Sequence, residues 1–228
     1  MHIHRRRFGM TYLKIFRERY SVPMAKRQNT SALERLQSLP AVFRGADLTV
    51  RFQWTSKTAS QYLYLWKRRG LVKGLGGHSD VFANLVKSQY PDWELAVVKA
   101  MPSAVIFGVE SLRQSGWTTQ IPARPTVAVK ASHSVYQVEP YEIVPRPNTW
   151  FATIGKGVHR ERVSVRVLRP AWALADMLQG EGWGKCGLWP DDVEWDEVAR
   201  EDEEDWLDAC EAFGLEERPL LELAMASR

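Results

Sequence analysis

The chain has 228 residues, of which 45% are hydrophobic and 25% are charged, and these are ordinary values for a globular protein. No apolar run approaches the roughly 18 residues that a membrane-spanning helix needs. Two cysteines, Cys186 and Cys210, are too few for the disulfide framework of a small secreted domain. We therefore expect reduced thiols and a cytoplasmic location.

The net charge of +4 conceals two halves of opposite sign. Residues 1–100 carry 18 lysines and arginines against 6 acidic residues, whereas residues 101–228 carry 13 against 21. A basic half joined to an acidic half is typical of a nucleic-acid-binding module linked to a second functional region. A polar surface with uneven charge is the simpler interpretation, and the charge alone does not decide between the two.

Residues 1–23 are predicted to be a loose basic arm or an over-extended start of the protein. Val22-Pro23 breaks the chain just before an internal Met24, which begins a segment that reads like a natural start. Three arginines at positions 5–7 either reach a minor groove as part of such an arm or belong to a tail without contacts.

Residues 24–90 are predicted to form a winged helix-turn-helix domain, in which three short helices precede a hairpin of two short strands. The glycines at positions 74, 76 and 77 permit the positive φ angles of the hairpin turn, and Gly70 ends the third helix. In the first helix Thr30 is the predicted N-cap, and every third residue from Leu33 to Leu39 is expected to be buried. The predicted helices are residues 30–39, 43–52 and 56–69, and the predicted strands are residues 71–73 and 81–83.

The third helix has two faces of different chemistry. Ala59, Leu63 and Trp66 stand at positions i, i+4 and i+7, so they form an apolar stripe towards the domain core. Tyr62 and Leu65 are predicted to lie in the core or at its edge.

The opposite face of this helix is polar, basic and aromatic, and it is predicted to meet DNA. Gln61 is assigned to a base edge, because its amide matches N6 and N7 of adenine. Lys57 and Arg68 are assigned to phosphates, and Tyr64 to a phosphate hydrogen bond or an apolar contact. Ser56, at the start of the helix, is a further predicted DNA contact. An ordinary solvated face is the alternative.

Four further candidates for DNA contacts lie outside the third helix. Lys73 and His78 flank the glycines of the hairpin, where they would touch phosphates or the minor groove, unless the hairpin is a simple turn. Arg44 and Arg51, around the second helix, are candidates for contacts to the phosphate backbone.

Residues 91–190 are predicted to form a mixed α/β domain with antiparallel strands, and residues 191–228 an acidic helical segment. The predicted fold class is therefore α+β. Pro170 suits the first turn of its helix. The predicted helices are residues 93–101, 110–116, 170–178 and one or two within 190–213, and the predicted strands are residues 105–107, 125–130, 135–138, 141–144 and 162–168.

The chain contains no pattern that predicts catalysis, a cofactor or a metal. The five histidines are scattered, and no phosphate-binding Gly-x-x-x-x-Gly-Lys segment occurs. Glu110 and Lys130 resemble part of a nuclease site, but Ala128 stands where a second acid is needed. The acidic residues 191–197 would suit a divalent cation, although such dense runs usually form a solvated face. The acidic residues 201–205 either meet a basic partner or belong to a solvated terminal helix.

Several stretches occur in an order that is shared with a known family. They are Tyr62-Leu63 with Trp66 and Gly70-Leu71-Val72, the segment 101–106 leading into 110–122, the strand 126–129, and the segment 168–178. In this order they resemble the AbiEi-type antitoxins of bacterial type IV toxin–antitoxin systems, over roughly residues 30–180. Trp66 and Trp117 stand where such proteins often have leucine.

The resemblance implies a DNA-binding N-terminal domain that represses its own operon at inverted repeats in the promoter. It also implies a C-terminal domain that counteracts a nucleotidyltransferase-like toxin without needing a stable complex. Inverted repeats require two copies of the protein, bound cooperatively or as a dimer. Three other hypotheses stay open, and the first two are a winged-helix adaptor that docks proteins and a plain regulator without a toxin. An enzyme within residues 100–228 is the third.

Overall fold

The computed structural model describes residues 31–76, 79–131, 138–159, 165–216, 218–220 and 222–223. These residues form a mixed α/β fold with two β-sheets. At this level the fold agrees with the predicted α+β class. The described residues from Leu36 onwards belong to one compact unit.

The first part of the chain folds as short helices around a small antiparallel sheet. The helices are α1 (Ala32–Ser38), α2 (Gly45–Phe52) and α3 (Ser56–Arg68), and the strands are β1 (Val42–Arg44), β2 (Val72–Gly74) and β3 (Val81–Asn84). The strand order is β1-β3-β2, with both pairings antiparallel. The predicted hairpin is confirmed, since β2 pairs with β3 through Val72↔Asn84 and Gly74↔Phe82.

Strand β1 occupies residues that the sequence pattern placed at the start of the second helix. Phe43 lies opposite Phe82 in the antiparallel ladder, and its ring is fully buried with its centroid 5.8 Å from that of Phe82. The helix begins only at Gly45. A run of three residues is too short to show a strand period, so its pairing partner β3 decides the conformation.

Helix α1 begins at Ala32, two residues later than the predicted start at residue 30, and it buries fewer leucines than predicted. Ser31 Oγ accepts the backbone N–H of Glu34 at 3.1 Å, while the Glu34 carboxylate accepts the N–H of Ser31 at 2.7 Å. This reciprocal pair is a capping box. Leu36 and Leu39 are buried, but Leu33 is 47% exposed, so its predicted burial is wrong. Thr30, the predicted N-cap, lies outside the described residues.

The second part of the chain alternates helices with short strands. The helices are α4 (Trp93–Ala100), α5 (Val109–Gln114), α6 (Asn148–Thr153), α7 (Pro170–Glu181) and α8 (Glu201–Phe213), with 3-10 turns at Ile154–Lys156, Pro190–Asp192 and Trp195–Glu197. The strands are β4 (Val105–Ile106), β5 (Thr126–Lys130), β6 (Glu142–Arg146), β7 (Val158–His159) and β8 (Arg166–Leu168).

These five strands form a mixed sheet in the order β6-β5-β4-β8-β7. The pairs β4–β5 and β7–β8 are antiparallel, whereas β4–β8 and β5–β6 are parallel. The expectation of antiparallel strands therefore holds for only half of the pairings described in this sheet. Short apolar runs predict strands but not their direction, which depends on how each connection returns. Most of the predicted strand 135–138, and residues 162–164 of the predicted strand 162–168, lie outside the described residues.

A hydrophobic cluster continues across the domain limit that the sequence predicted at residue 90. Val42 and Val81 of the small sheet belong to the same buried cluster as Val97 of α4 and Ile106 of β4. A separate cluster fills the space among α1, α2 and α3. The domain limits at residues 23, 90 and 190 stay predictions.

The acidic C-terminal helix packs against the second part of the chain. Trp206 of α8 is buried, and its Nε1 donates to the carbonyl of Arg218 at 2.7 Å. Arg169 donates to Asp205 at 2.6 Å, which ties the start of α7 to α8. The acidic charge of α8 therefore lies on a helix whose other side belongs to the core.

Candidate nucleic-acid interface

Helix α3 has well-defined ends, and local hydrogen bonds fix both of them. At the start, Thr55 Oγ1 accepts the backbone N–H of Thr58 at 3.2 Å. Thr55 is therefore the N-cap, an interaction worth about 1 kcal/mol. At the end, Gly70 has φ 67°, and the N–H of Leu71 reaches back to the carbonyl of Trp66 at 2.9 Å. This is the glycine-dependent C-terminal motif that the sequence predicted.

The apolar side of α3 anchors the helix through aromatic packing. Ala59 is 4% exposed and Trp66 is 2% exposed. Tyr62 stacks on Trp54 with centroids 4.2 Å apart, and its ring lies 5.6 Å from that of Trp66. Leu63 is half-buried. The predicted stripe and the predicted environment of Tyr62 are confirmed.

The polar side of α3 is open to solvent along its whole length. We call the side chains of Lys57, Gln61, Tyr64 and Arg68 the α3 face; all four are exposed, with Tyr64 at 64%. Leu65 is 44% exposed, so its predicted place in the core or at its edge is wrong. The residue directly follows Tyr64 and precedes the buried Trp66, so it turns away from the aromatic cluster.

Ser56 and two neighbouring hydroxyls line a cleft between α2 and α3. The cleft has a volume of about 260 Å³, and its polar lining includes Thr49, Ser56, Ser60 and Asp80. Ser56 is exposed at the mouth of this cleft, next in sequence to Lys57 of the α3 face. The structure therefore places Ser56 beside the face to which the sequence assigned it.

Arg44 and Arg51 lie in different environments, although the sequence grouped them. Arg51 is exposed near the end of α2. The Arg44 guanidinium donates to the carbonyl oxygen of Lys99, which belongs to the last turn of α4. Cations suit the C-terminal end of a helix, where carbonyl groups lack partners. Arg44 is thus engaged with the second part of the chain in this structure.

Lys73 of β2 is likewise engaged within the protein. Its Nζ lies 2.9 Å from Oε2 of Glu139 and 5.2 Å from the centre of the Trp93 ring. His78, the other predicted contact of the hairpin, lies outside the described residues. The hairpin therefore contributes one described cation, and that cation has a carboxylate partner.

Asp80 organises the base of the hairpin, and the sequence prediction did not identify it. Its carbonyl oxygen accepts the N–H of Gly45 at 2.8 Å, and its carboxylate accepts the N–H of Ala46 at 3.0 Å. A Cβ on Gly45 would lie 2.2 Å from Asp80 Oδ1, so an alanine there would force the Asp80 carboxylate to move. A glycine at the first position of a helix is the signal that could have revealed this contact.

A cluster of aromatic and charged side chains is buried in the second part of the chain, and its carboxylate has partners within the protein. Asp176 of α7 accepts Trp150 Nε1 at 2.7 Å and lies 3.6 Å from an Arg146 nitrogen. Burial raises the pKa of Asp176, against the lowering effect of these two partners. The Arg146 guanidinium also lies 5.0 Å from the Phe107 ring. The cluster satisfies a buried carboxylate by hydrogen bonding.

Glu110, one half of the nuclease-like pattern, is paired with its helix neighbours. Arg113 donates to it at 2.7 Å and Gln114 at 2.8 Å. The hydrogen bond from Arg113 lowers the pKa of Glu110. Lys130 lies instead against the Phe151 ring, 6.0 Å from its centre. The two residues of the nuclease-like pattern thus have different partners.

Among the described residues, no three or more histidine, cysteine or acidic side chains are placed to hold a metal ion together. Within the same ranges, no helix has the length and apolar character to cross a membrane.

No protein-family model and no curated protein matches the chain. Among solved structures, the chain is similar to the crystal structure of RV2827C protein from Mycobacterium tuberculosis. The sequence identity is 12% and the TM-score 0.45, over 86% of this chain and 75% of that one. A similarity at this level supports no argument about function, so the site is interpreted from its own residues.

Proposed function

We propose that the chain is a DNA-binding transcriptional repressor, in which residues 32–84 act as a winged helix-turn-helix. In this proposal α3 is the recognition helix and the β2–β3 hairpin is the wing. The observation that carries the proposal is the α3 face, where two cations, an amide and an aromatic side chain are exposed opposite a buried stripe.

The order of elements supports this assignment. Helices α2 and α3 are separated by residues 53–55 alone, and Gln53 has φ 53°, the left-handed conformation of a tight turn. The hairpin follows α3 directly. Helix α3 has 13 residues and is therefore about 20 Å long at 1.5 Å per residue. A helix of this length can lie in a major groove about 12 Å wide.

The chemistry of the α3 face suits both kinds of DNA contact. Lys57 and Arg68 stand at its two ends, where they would neutralise phosphates and fix the position of the helix. Gln61 lies between them and would read an adenine through its amide. The cations give affinity without sequence information, whereas the amide gives preference.

Binding to the protein's own upstream DNA tests the repressor proposal. Fluorescence anisotropy would compare a duplex from that region with a shuffled duplex of equal length at fixed salt. Gln61→Ala should reduce the preference for the upstream duplex about 5- to 100-fold, while Gln89→Ala, an exposed glutamine outside α3, should leave it unchanged. Equal binding of both duplexes by the unaltered protein would refute sequence-specific repression.

The resemblance to AbiEi-type antitoxins extends the proposal to residues 91–190. On this proposal the second region counteracts a nucleotidyltransferase-like toxin, and two copies of the protein bind inverted repeats in the promoter. Co-expression with the product of the neighbouring reading frame tests it by bacterial growth. Relief of growth arrest by the full chain is the expected result. A neighbouring product that arrests no growth would leave a plain regulator.

A protein-docking adaptor is the second candidate, because apolar side chains are exposed on the same helices. Val50 of α2 is 81% exposed, and Tyr64 and Leu65 of α3 are 64% and 44% exposed. Exposed aromatic and aliphatic groups are typical of protein contacts. A gel-shift assay separates the two candidates, since an adaptor would retard neither the upstream nor the shuffled duplex.

A further inference from the structure

The ion pair between Lys73 and Glu139 joins the hairpin to the second part of the chain. The Nζ–Oε2 distance is 2.9 Å, and the side chains are 48% and 73% exposed. The ammonium also lies 5.2 Å above the Trp93 ring. Lys73 therefore has a carboxylate partner and an aromatic neighbour in this structure.

Glu139 is held in place by its chain neighbours. Val138 is 2% exposed, and its carbonyl accepts the N–H of Tyr141 at 2.7 Å. Tyr141 is half-buried against the same hydrophobic cluster, where burial raises its pKa to about 12 and keeps its hydroxyl neutral. The exposed carboxylate thus projects from a turn whose base belongs to the core.

We propose that Glu139 competes with DNA phosphate for Lys73 and so weakens the contact of the hairpin with DNA. This rests on the proposed function and names the regulation of that same site. A pair of exposed charges is weak and screened by salt, so a phosphate can displace the carboxylate. Because Glu139 belongs to the second part of the chain, any movement of the turn at residues 138–141 would change DNA affinity through Lys73.

Glu139→Gln in the full chain tests this competition, because the amide keeps the shape of the side chain and removes its charge. The expected result is binding about two- to fivefold tighter for upstream and shuffled duplexes alike, since phosphates carry no sequence information. The slope of log affinity against log salt should become steeper by up to about 0.9, the value of one phosphate contact.

Glu142→Gln is the matched control, since Glu142 is an exposed acid three residues away and gives the same change in net charge. The gain from Glu139→Gln should also vanish in a Lys73→Ala background. The proposal is overturned if Glu139→Gln binds like the unaltered protein, if Glu142→Gln gives the same gain, or if the gain persists without Lys73. If the unaltered protein binds neither duplex, the proposed function itself has failed, and this is visible before any variant is made.

Discussion

Lys57 offers the most direct measurement of how α3 meets DNA. The side chain is exposed in the first turn of the helix, one turn before Gln61. If it neutralises one phosphate, Lys57→Ala should reduce the magnitude of the salt slope by about 0.9. A fourfold rise in salt, from roughly 50 to 200 mM, would then weaken the unaltered protein about 3.5-fold more than the variant.

Anisotropy titrations of the upstream duplex at four salt concentrations would provide both slopes. Lys185→Ala is the control, because Lys185 is an exposed lysine in the loop after α7 and its removal changes the net charge equally. Its slope should stay close to that of the unaltered protein, since Lys185 lies outside the helices and the hairpin that are proposed to contact DNA. Equal slopes for the two variants would refute the assignment of Lys57 to a phosphate.

Three further predictions concern stability. Trp66→Ala should lower the free energy of unfolding by about 3–5 kcal/mol in urea titrations, because the ring is fully buried; a loss under about 1 kcal/mol would contradict its role as anchor. Gly45→Ala should cost about 1–3 kcal/mol through the clash with Asp80, and clearly less in an Asp80→Ala background. Arg113 holds the pKa of Glu110 low, so its stabilisation is present above the ordinary carboxylate pKa and is lost as pH falls through the lowered value. The deficit of Arg113→Ala should accordingly shrink as pH falls from neutral through the lowered pKa of Glu110, and a deficit that stays constant down to the onset of acid unfolding would contradict the pairing.

Local patterns predicted the elements whose ends and faces depend on neighbouring residues. Helix α3 is the best example, because the glycine that ends it and the apolar residues of its stripe lie within a few turns of one another. Where the sequence prediction was wrong, packing that the local pattern does not show decides the outcome. Phe43 joins a strand because β3 pairs with it, and Leu65 is exposed because Tyr62 and Trp66 already fill the aromatic cluster.

The candidate site divides in the same way. The exposure of Lys57 and Gln61 followed from helical spacing, and the structure agrees with it. The contacts of Arg44 and Lys73 could not be predicted from helical spacing, since their partners lie 55 and 66 residues further along the chain. No periodic pattern encodes such contacts.

The amino-acid order by itself determined the chemistry that α3 presents, since a period of 3.6 residues places Lys57 and Gln61 opposite Trp66 wherever the helix lies. The tertiary structure decided which of the other predicted DNA-contacting cations are engaged within the protein. The cluster shared by the small sheet and α4 brings Arg44 to a helix end and Lys73 to a carboxylate. Whether a charged side chain is available to a ligand depends on its neighbours in space. For these two side chains, the neighbours come from segments far apart in the sequence.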